Sequence, residues 1–424
     1  MAIRRQNKYK NLSRWVITNR YKAGAVKRAQ ERKTKKSTPL NELRDYLHEK
    51  FLKWFWHMLA HLLGTKHEFQ TYAANSTGGI YPMKSAKGSG EITLALAADW
   101  ATNTHESATI ASKMNSHDPD YTIHLGDTYY AGNVDEIYDN YLIPNAPWKK
   151  GSCGSFALMG NHEMYSMANA YYEDLLPALG VFDKELNKYM GQGTSYFCLQ
   201  TDYWLVIGLD TGYNSVGLPF VWNSHKCNSA LQDPIIEWMK NTLRLHDDKR
   251  GIIFMSHHQY MSGFEEEKDY SGVGQQLASI VGEKRKVLWF WGHENRLALY
   301  GQHKSPLGVT AYGRCIGHGG MPIELDKMIV DPVRAVNSNL IGYDARIRNT
   351  IDHDNTVGLN GYALLRLERE KLTIEYYDWN KQLLEESWSA DIETGIISGL
   401  GVRVLESSPL FKLLPRKSWD DLVK

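Results

Sequence analysis

The sequence has few cysteines, few prolines and no long apolar run. Its 424 residues include four scattered cysteines (Cys153, Cys198, Cys227 and Cys315) and no Cys-x-x-Cys pair. This excludes a disulfide framework and a zinc knuckle, and it favours a reducing compartment. No stretch of about 18 apolar residues is long enough to span a membrane, and the first 30 residues lack the apolar core of a secretory signal. We therefore expect a cytoplasmic protein.

Two common catalytic signatures are also missing. The sequence contains neither a Gly-x-Ser-x-Gly nucleophile motif nor a phosphate-binding loop of the Walker type. Hydrophobic residues make up 42% and charged residues 23% of the chain. These are the proportions of a globular protein, which excludes wholesale disorder and fibrous repeats.

Positive charge is concentrated at the start of the chain. Residues 1–38 carry 13 Lys and Arg against one acidic residue, whereas the other 386 residues hold 36 basic and 47 acidic side chains. Such a basic arm binds the phosphates of nucleic acid or of anionic lipid head groups, or it remains a solvated tail. The sequence leaves these alternatives open.

Residues 39–64 are predicted to form an amphipathic helix, with Pro39 at its first position and Gly64 at its end. Apolar residues recur at helical spacing, so the helix either packs on the body of the protein or lies on a bilayer surface as a peripheral membrane element. Residues 65–90 are predicted to be a linker because of their Gly and Ser clusters. Residues 396–424 are an unassigned C-terminal tail.

The alternation of short apolar runs with helical stretches predicts an α/β domain over residues 91–395. The predicted strands are 92–98, 122–125, 156–159, 204–209, 252–255 and 287–291. The predicted helices are 107–114, 134–141, 234–245 and 274–283. A hairpin over 361–379 is expected to complete the sheet.

Five predicted strands are followed by a side chain that can bind a metal. These side chains are Asp99, Asp127, Asn161, His257 and His293. We expect them at the carboxyl edge of a sheet, where α/β folds place their sites. Carboxylate, amide and imidazole donors suit Zn, Mn or Fe. Asp210 also ends a strand but is predicted to act in a turn or a helix cap.

The motifs Gly-Asp-Thr-Tyr-Tyr, Gly-Asn-His-Glu and Gly-His-Glu-Asn follow one another at strand ends. This ordered set resembles the calcineurin-like metallophosphoesterases over about residues 91–390. Tyr130, and the lack of a His after Asp99, are similar to the purple acid phosphatases and a bacterial group related to them. The resemblance implies a four-layer αββα sandwich, to which the predicted amphipathic helix adds an N-terminal extension. It also implies a binuclear metal centre holding two ions drawn from Fe, Mn or Zn.

By this resemblance, Asp127 bridges the two ions. One ion is also bound by Asn161, His257 and His293, and the other by Asp99, Tyr130 and Asn295. Asn295 stands where the family has a His. Either its amide oxygen binds a harder ion, or the second ion is bound weakly or not at all.

The resemblance further implies that a hydroxide activated by the two metals attacks phosphorus. His162 would contact the phosphate and protonate the leaving oxygen, with Glu163 holding its ring. His258 would contact the substrate or help to orient one of the metal ligands.

The predicted function is hydrolysis of phosphate esters, with monoesters favoured. One alternative is a phosphodiesterase acting on nucleic acid or phospholipid, with residues 1–38 supplying the affinity for phosphate. Another is a binding protein with a degenerate site, which binds a partner or an anionic membrane through residues 1–64.

Overall fold

The fold is described from a computed structural model of the protein. The residues described are 66–73, 76–216, 228–265, 272–282, 285–304, 308–325, 329–350 and 356–424. The predicted basic arm (1–38) and the predicted amphipathic helix (39–64) lie outside these residues. Within the described ranges, no helix combines the length and apolar character needed to cross a bilayer.

Strands dominate the described part of the chain. In chain order the first ten are β1 (Ile80–Pro82), β2 (Ile92–Ala97), β3 (Tyr121–His124), β4 (Gly154–Ala157), β5 (Gly180–Asp183), β6 (Lys188–Tyr189), β7 (Phe197–Gln200), β8 (Trp204–Gly208), β9 (Gly251–Met255) and β10 (Lys286–Trp291). The next ten are β11 (Leu297–Lys304), β12 (Thr310–Ile316), β13 (Leu340–Asp344), β14 (Ile347–Thr350), β15 (Thr356–Gly358), β16 (Gly361–Glu368), β17 (Lys371–Asp378), β18 (Gln382–Asp391), β19 (Ile396–Val404) and β20 (Phe411–Leu413).

Helices are few and short in the same ranges. The α-helices are α1 (His105–Ser116), α2 (Val134–Ile137), α3 (Asn161–Met164), α4 (Asp233–Glu237), α5 (Gly272–Val281) and α6 (Pro332–Asn337). Single π-helical turns cover Tyr138–Leu142, Tyr171–Leu175 and Trp238–Thr242, and 3₁₀ turns cover Leu176–Ala178 and Trp419–Leu422. The longest α-helix, α1, begins at a capping box, in which Thr104 and Ser107 exchange side-chain and backbone hydrogen bonds.

Two nine-stranded sheets form the body of the protein. The strand order of the first sheet is β19-β18-β17-β16-β2-β3-β4-β5-β6, and that of the second is β1-β7-β8-β9-β10-β12-β11-β13-β20. In the first sheet β2, β3 and β4 run parallel. In the second, β8, β9, β10 and β12 run parallel. Parallel neighbours end at the same edge, so each sheet gathers the loops that follow its central strands.

The side chains of the central strands alternate between two cores. In β2, Leu94 and Leu96 belong to the core between the sheets, whereas Ala95 and Ala97 face an outer core that includes Ile110 of α1. A third core joins the outer face of the second sheet to α4 and α5. Because these strands are buried on both faces, they appear in the sequence as continuous apolar runs. The layers confirm the predicted α/β sandwich.

The six predicted strands correspond to β2, β3, β4, β8, β9 and β10, and the predicted hairpin is β16 and β17. Two predicted boundaries fall inside the fold. Residues 80–82, within the predicted linker, form β1, which pairs in parallel with β7. The predicted tail contributes β19 and β20, which pair with β18 and β13. Three-residue strands such as β1 and β20 are too short to show a period of two in the sequence.

Candidate metal centre

The predicted ligands follow the carboxyl ends of strands in both sheets, and not those of a single sheet. Asp99, Asp127 and Asn161 follow β2, β3 and β4 of the first sheet, whereas His257 and His293 follow β9 and β10 of the second. The backbone N–H of His293 donates to Asp99 Oδ2 at 2.8 Å and joins the two sets. The expectation of a single sheet edge was therefore wrong, because each sheet supplies only part of the centre.

Four of the predicted ligands have left-handed backbone conformations. The φ angle is +53° at Asp99, +71° at Asp127, +65° at His293 and +46° at Asn295. Asp, Asn and His tolerate this region better than most residues, yet it still costs on the order of 1 kcal/mol per residue. Such conformations persist where the surrounding structure enforces them, and they cluster at functional sites.

Glycines allow the ligand loops to approach one another closely. Gly126 has a φ of +99°, and a Cβ at Gly160 would lie 2.1 Å from Asp127 Oδ1. A Cβ at Gly292 would lie 2.6 Å from Asp99 Oδ2. Left-handed backbone is thus the reason for glycine at position 126, whereas Gly160 and Gly292 leave room for a carboxylate.

Asp127 divides the site, because its two carboxylate oxygens have different neighbours. Its Oδ1 lies 3.3 Å from His257 Nε2 and accepts the backbone N–H of His162 at 3.0 Å. Its Oδ2 accepts the hydroxyl of Tyr129 at 3.2 Å. The carboxylate therefore faces two separate groups of side chains.

The first group, which we call the nitrogen side, consists of Asn161, His257 and His293. The Nδ1 of His257 lies 2.9 Å from the carbonyl oxygen of Leu125. Because a carbonyl only accepts, Nδ1 carries the proton in the neutral ring. The lone pair of Nε2 then faces Asn161 Oδ1 at 3.2 Å. A backbone carbonyl that holds an imidazole in this way is typical of a metal-binding His.

The second group, which we call the oxygen side, consists of Asp99, Tyr129 and Asn295. The Tyr129 hydroxyl lies 2.9 Å from Asp99 Oδ1, 3.2 Å from Asp127 Oδ2 and 3.2 Å from Asn295 Oδ1. One phenolic proton can satisfy only one of these three acceptors at a time. The oxygen side thus has more hydrogen-bond acceptors than the Tyr129 hydroxyl can satisfy. A bound cation would interact favourably with the remaining oxygens.

The motif predicts Tyr130 on the oxygen side, but the structure places the hydroxyl of Tyr129 there. The carbonyl oxygen of Tyr130 accepts from His162 Nδ1 at 2.7 Å, and the centroids of its ring and that imidazole are 6.4 Å apart. Its backbone N–H donates to Glu136 at 2.7 Å. The two tyrosines are adjacent, so spacing along the chain could not tell which ring turns inward.

Glu163 accepts hydrogen bonds from the backbone of the turns that carry Asp127 and Asn161, rather than from the imidazole of His162. Its carboxylate accepts backbone N–H groups from Asp127 at 3.2 Å, Thr128 at 2.7 Å and Gly160 at 2.8 Å. These residues begin the loops after β3 and β4, so one buried side chain fixes both. The prediction that Glu163 orients the imidazole was therefore wrong, because the carbonyl of Tyr130 does so.

His258 lies beside the nitrogen side and is buried. Its ring centroid is 4.5 Å from that of His293 and 4.8 Å from that of His257. The Oγ1 of Thr211 lies 3.1 Å from its Nδ1 and accepts its backbone N–H at 3.0 Å. Thr211 follows β8, and no sequence motif marked it. Its only signal was its position one residue after Asp210, at another strand end.

Asp127 and His257 stabilise each other's charge. Burial alone would raise the pKa of Asp127, but His257 and His162 hold that pKa well below its usual range. Burial alone would lower the pKa of His257, but Asp127 raises it to about 9. Burial raises the pKa of Asp99 well above its usual value, although His257 opposes this shift. Protons therefore occupy positions for which a metal ion would compete.

The donor atoms fit a metal centre. Two clusters bring ligand atoms within 4.8 Å of one another, namely His257, His258 and His293, and Asp99, Asp127 and His257. In the described residues, two buried imidazole nitrogens near these clusters have no hydrogen-bond partner, Nε2 of His258 and Nδ1 of His293. Carboxylate, amide and imidazole donors together suit Zn, Mn or Fe.

Several solved structures are similar to the chain at low sequence identity. GAP50, the anchor in the inner membrane complex of Plasmodium, is 11% identical; the match covers 76% of this chain and 90% of that chain, with a TM-score of 0.40. A conserved Streptococcus pneumoniae protein, described as a predicted phosphoesterase, is 8% identical, with coverages of 73% and 97% and a TM-score of 0.26. Vacuolar Protein Sorting 29 from Cryptosporidium parvum is 12% identical, with coverages of 70% and 98% and a TM-score of 0.26. Similarity at this level says nothing about the activity of this chain.

Sequence comparison identifies the domain. Among curated proteins, no sequence matches the chain significantly. Residues 92–296 match the family model of the calcineurin-like phosphoesterases, which generally use divalent metals. The matched segment extends from the start of β2 to the loop after β10, so it includes every residue of the nitrogen and oxygen sides. The chain therefore contains a calcineurin-like phosphoesterase domain.

Proposed function

We propose that this protein hydrolyses phosphate esters at a centre of two metal ions bridged by Asp127. The observation that carries this proposal is the division of the Asp127 carboxylate. Its Oδ1 faces His257 Nε2 at 3.3 Å, and its Oδ2 faces the Tyr129 hydroxyl at 3.2 Å. A carboxylate that binds one ion at each oxygen needs a separate set of donors beside each oxygen, and Asp127 has such neighbours. The ions, when bound, polarise the phosphate and lower the pKa of a water molecule to near neutrality.

Each side of the centre favours a different kind of ion. On the nitrogen side we assign Asp127, Asn161, His257 and His293 as ligands. On the oxygen side we assign Asp99, Asp127, Asn295 and, in place of Tyr130, Tyr129. Imidazole nitrogens favour a borderline ion such as Zn²⁺, whereas four oxygen donors favour a harder ion such as Fe³⁺ or Mn²⁺.

His162 is the residue that holds a proton for the leaving group. Its Nδ1 donates to a backbone carbonyl, so Nε2 is the nitrogen available for proton transfer. That nitrogen lies 3.8 Å from Asp127 Oδ2, and 17% of the side chain is exposed. Nε2 thus stands between the carboxylate of Asp127 and solvent, where a proton on it can pass to a leaving oxygen.

We propose monoesters as the preferred substrates. The likeness of the tyrosine-containing motif to that of purple acid phosphatases supports this preference. The basic arm of residues 1–38 supports the alternative, a phosphodiesterase that binds the phosphates of nucleic acid or lipid. The relative rates of monoester and diester hydrolysis distinguish the two substrate classes.

The test is hydrolysis of chromogenic phosphate monoesters and diesters by the full-length protein loaded with Fe, Mn or Zn. Asn161→Ala should lower kcat/KM by more than about 100-fold, since loss of residues that merely support a ligand already costs about 10–100-fold. Asn241→Ala, which removes an exposed amide on the surface, is the matched control and should keep full activity. Activity that survives in Asn161→Ala would contradict the proposed site. Faster turnover of diesters would overturn the monoester preference, and no turnover with any metal would favour the degenerate binding protein.

A further inference from the structure

His258 belongs to neither ligand set assigned above, although it lies against both imidazoles of the nitrogen side. Its ring plane is inclined by 50° to that of His293 and by 89° to that of His257. One nitrogen from each of the three rings lies within 4.8 Å of the other two. Two nitrogens bound to the same ion at about 2.0–2.1 Å are at most about 4.2 Å apart. The three rings are therefore close to the arrangement that a shared ion requires.

Nε2 of His258 has no hydrogen-bond partner among the described residues, and the ring is buried. A buried polar atom without a partner costs free energy, and an ion bound within the His257, His258 and His293 cluster would give this nitrogen a partner. Nδ1 of His293 is also buried and without a partner among the described residues, and the centroid of that ring is 4.5 Å from that of His258.

Thr211 decides which nitrogen of His258 is free. Its Oγ1 already accepts the backbone N–H of His258 at 3.0 Å and lies 3.1 Å from Nδ1. If Nδ1 donates to this oxygen, Nε2 keeps a bare lone pair. If the hydroxyl donates instead, Nε2 carries a buried proton without an acceptor. The first arrangement leaves a nitrogen ready for a cation, and it resembles the carbonyl contact that prepares His257.

We propose that His258 is a metal ligand, whose Nε2 joins His257 and His293 on the ion of the nitrogen side, and that Thr211 is its positioning residue. This inference rests on the metal centre proposed above. A third imidazole makes the nitrogen side richer in borderline donors and increases the contrast with the oxygen side. It also leaves fewer positions on that ion for water and substrate.

The rival role for His258 is a contact with the substrate, in which an Nε2 proton would donate to a phosphate oxygen. That role needs the opposite tautomer, with the Thr211 hydroxyl donating to Nδ1. The two roles are separable, because a ligand changes metal affinity and the spectrum of the bound metal in the absence of any substrate. A substrate contact changes only the binding of phosphate.

The experiment is a titration of the metal-free, full-length protein with Co²⁺, followed by calorimetry and by the visible absorption of the bound ion. His258→Gln should weaken binding of one Co²⁺ by at least about 10-fold and reduce or shift its absorption bands. Thr211→Val should produce a smaller change in the same direction. His318→Gln is the matched control, because His318 is also buried with partnerless ring nitrogens but belongs to neither cluster. Its Co²⁺ affinity should equal that of the wild type.

An unchanged Co²⁺ affinity and spectrum in His258→Gln would overturn the inference, and weaker inhibition by inorganic phosphate in that variant would assign His258 to substrate binding. Failure of the wild type to bind Co²⁺ would refute the proposed metal centre itself. If the variant does not fold, X-ray absorption at the cobalt edge of the wild type still decides between the roles. Three imidazoles on the nitrogen-side ion support the inference, and two overturn it.

Discussion

The two sheets contribute chemically different parts of one centre. The strand ends of the first sheet supply oxygen donors, and those of the second supply imidazoles. Each sheet also supplies one residue to the other group, because Asn161 of the first sheet faces the nitrogen side and Asn295 of the second faces the oxygen side. Neither sheet alone therefore presents a complete set of ligands. The candidate centre therefore forms only when the two sheets pack together, and Asp127 faces both of its sides.

The largest effect on both sides of the centre is expected when the shared residue Asp127 is removed. Asp127→Ala should abolish binding of both ions and lower kcat/KM by more than about 100-fold, because it removes one donor from each side. Metal content by mass spectrometry and ester hydrolysis measure the two effects. Asp210→Asn is the control, since Asp210 is also a buried strand-end carboxylate but, among the described residues, accepts hydrogen bonds from Ser195 and the following turn. Retention of two ions in Asp127→Ala would refute the bridging role.

A weaker perturbation of both sides should come from Glu163→Gln. The amide nitrogen of Gln would face backbone N–H donors that the carboxylate now accepts. We expect the free energy of unfolding to fall by about 1–3 kcal/mol. We also expect kcat/KM to fall by about 10–100-fold.

Denaturant titration and metal titration of Glu163→Gln would test this. If the affinity for only one of the two ions changed, Glu163 would not be the common support of both ligand turns.

Removing the hydroxyl of Tyr129 should affect the oxygen side alone. Tyr129→Phe should lower the affinity for the oxygen-side ion by about 10-fold and leave the nitrogen-side ion unchanged. If Fe³⁺ binds there, the wild type should show a visible tyrosinate-to-iron absorption band, which Tyr129→Phe loses and Tyr130→Phe keeps. Loss of the band in Tyr130→Phe alone would return the assignment to the residue that the motif predicted.

The smallest effect concerns a carboxylate outside the centre. Burial raises the pKa of Asp210 to about 6, whereas histidines hold the pKa of Asp127 below its usual range. The folded protein therefore keeps a proton on Asp210 that the unfolded chain releases near pH 4. Stability should consequently fall as the pH rises from about 4 to 6, by at most about 3 kcal/mol.

Urea unfolding of the metal-free protein at several pH values measures this slope. Asp210→Asn cannot ionise and can still accept from the turn N–H groups, so its slope over the same interval should be smaller. Equal slopes in the variant and the wild type would exclude Asp210 as the titrating group.

The predicted strands were largely correct in place, because apolar runs and the polar residues that end them are local features of the chain. The errors concern relations between loops. Tyr129 and Tyr130 have nearly the same sequence context, and only the path of the turn after Asp127 decides which hydroxyl meets Asp99. The backbone contacts of Glu163 depend on two loops, 33 residues apart in the chain, lying side by side. Thr211 carried no motif at all.

The α/β elements and the strand ends at which Asp, Asn and His occur could be predicted from the sequence, and with them the chemistry of a candidate metal-binding set. These depend on apolar periodicity and on residue type, which are properties of short segments. Only the tertiary structure decided that the set comes from two sheets, that Asp127 has an oxygen for each side, and that His258 lies within reach of the same point. Those facts depend on distances between residues that are far apart in the chain, such as Asp99 and His293. The packing of one sheet on the other sets these distances, and the spacing of residues along the chain does not.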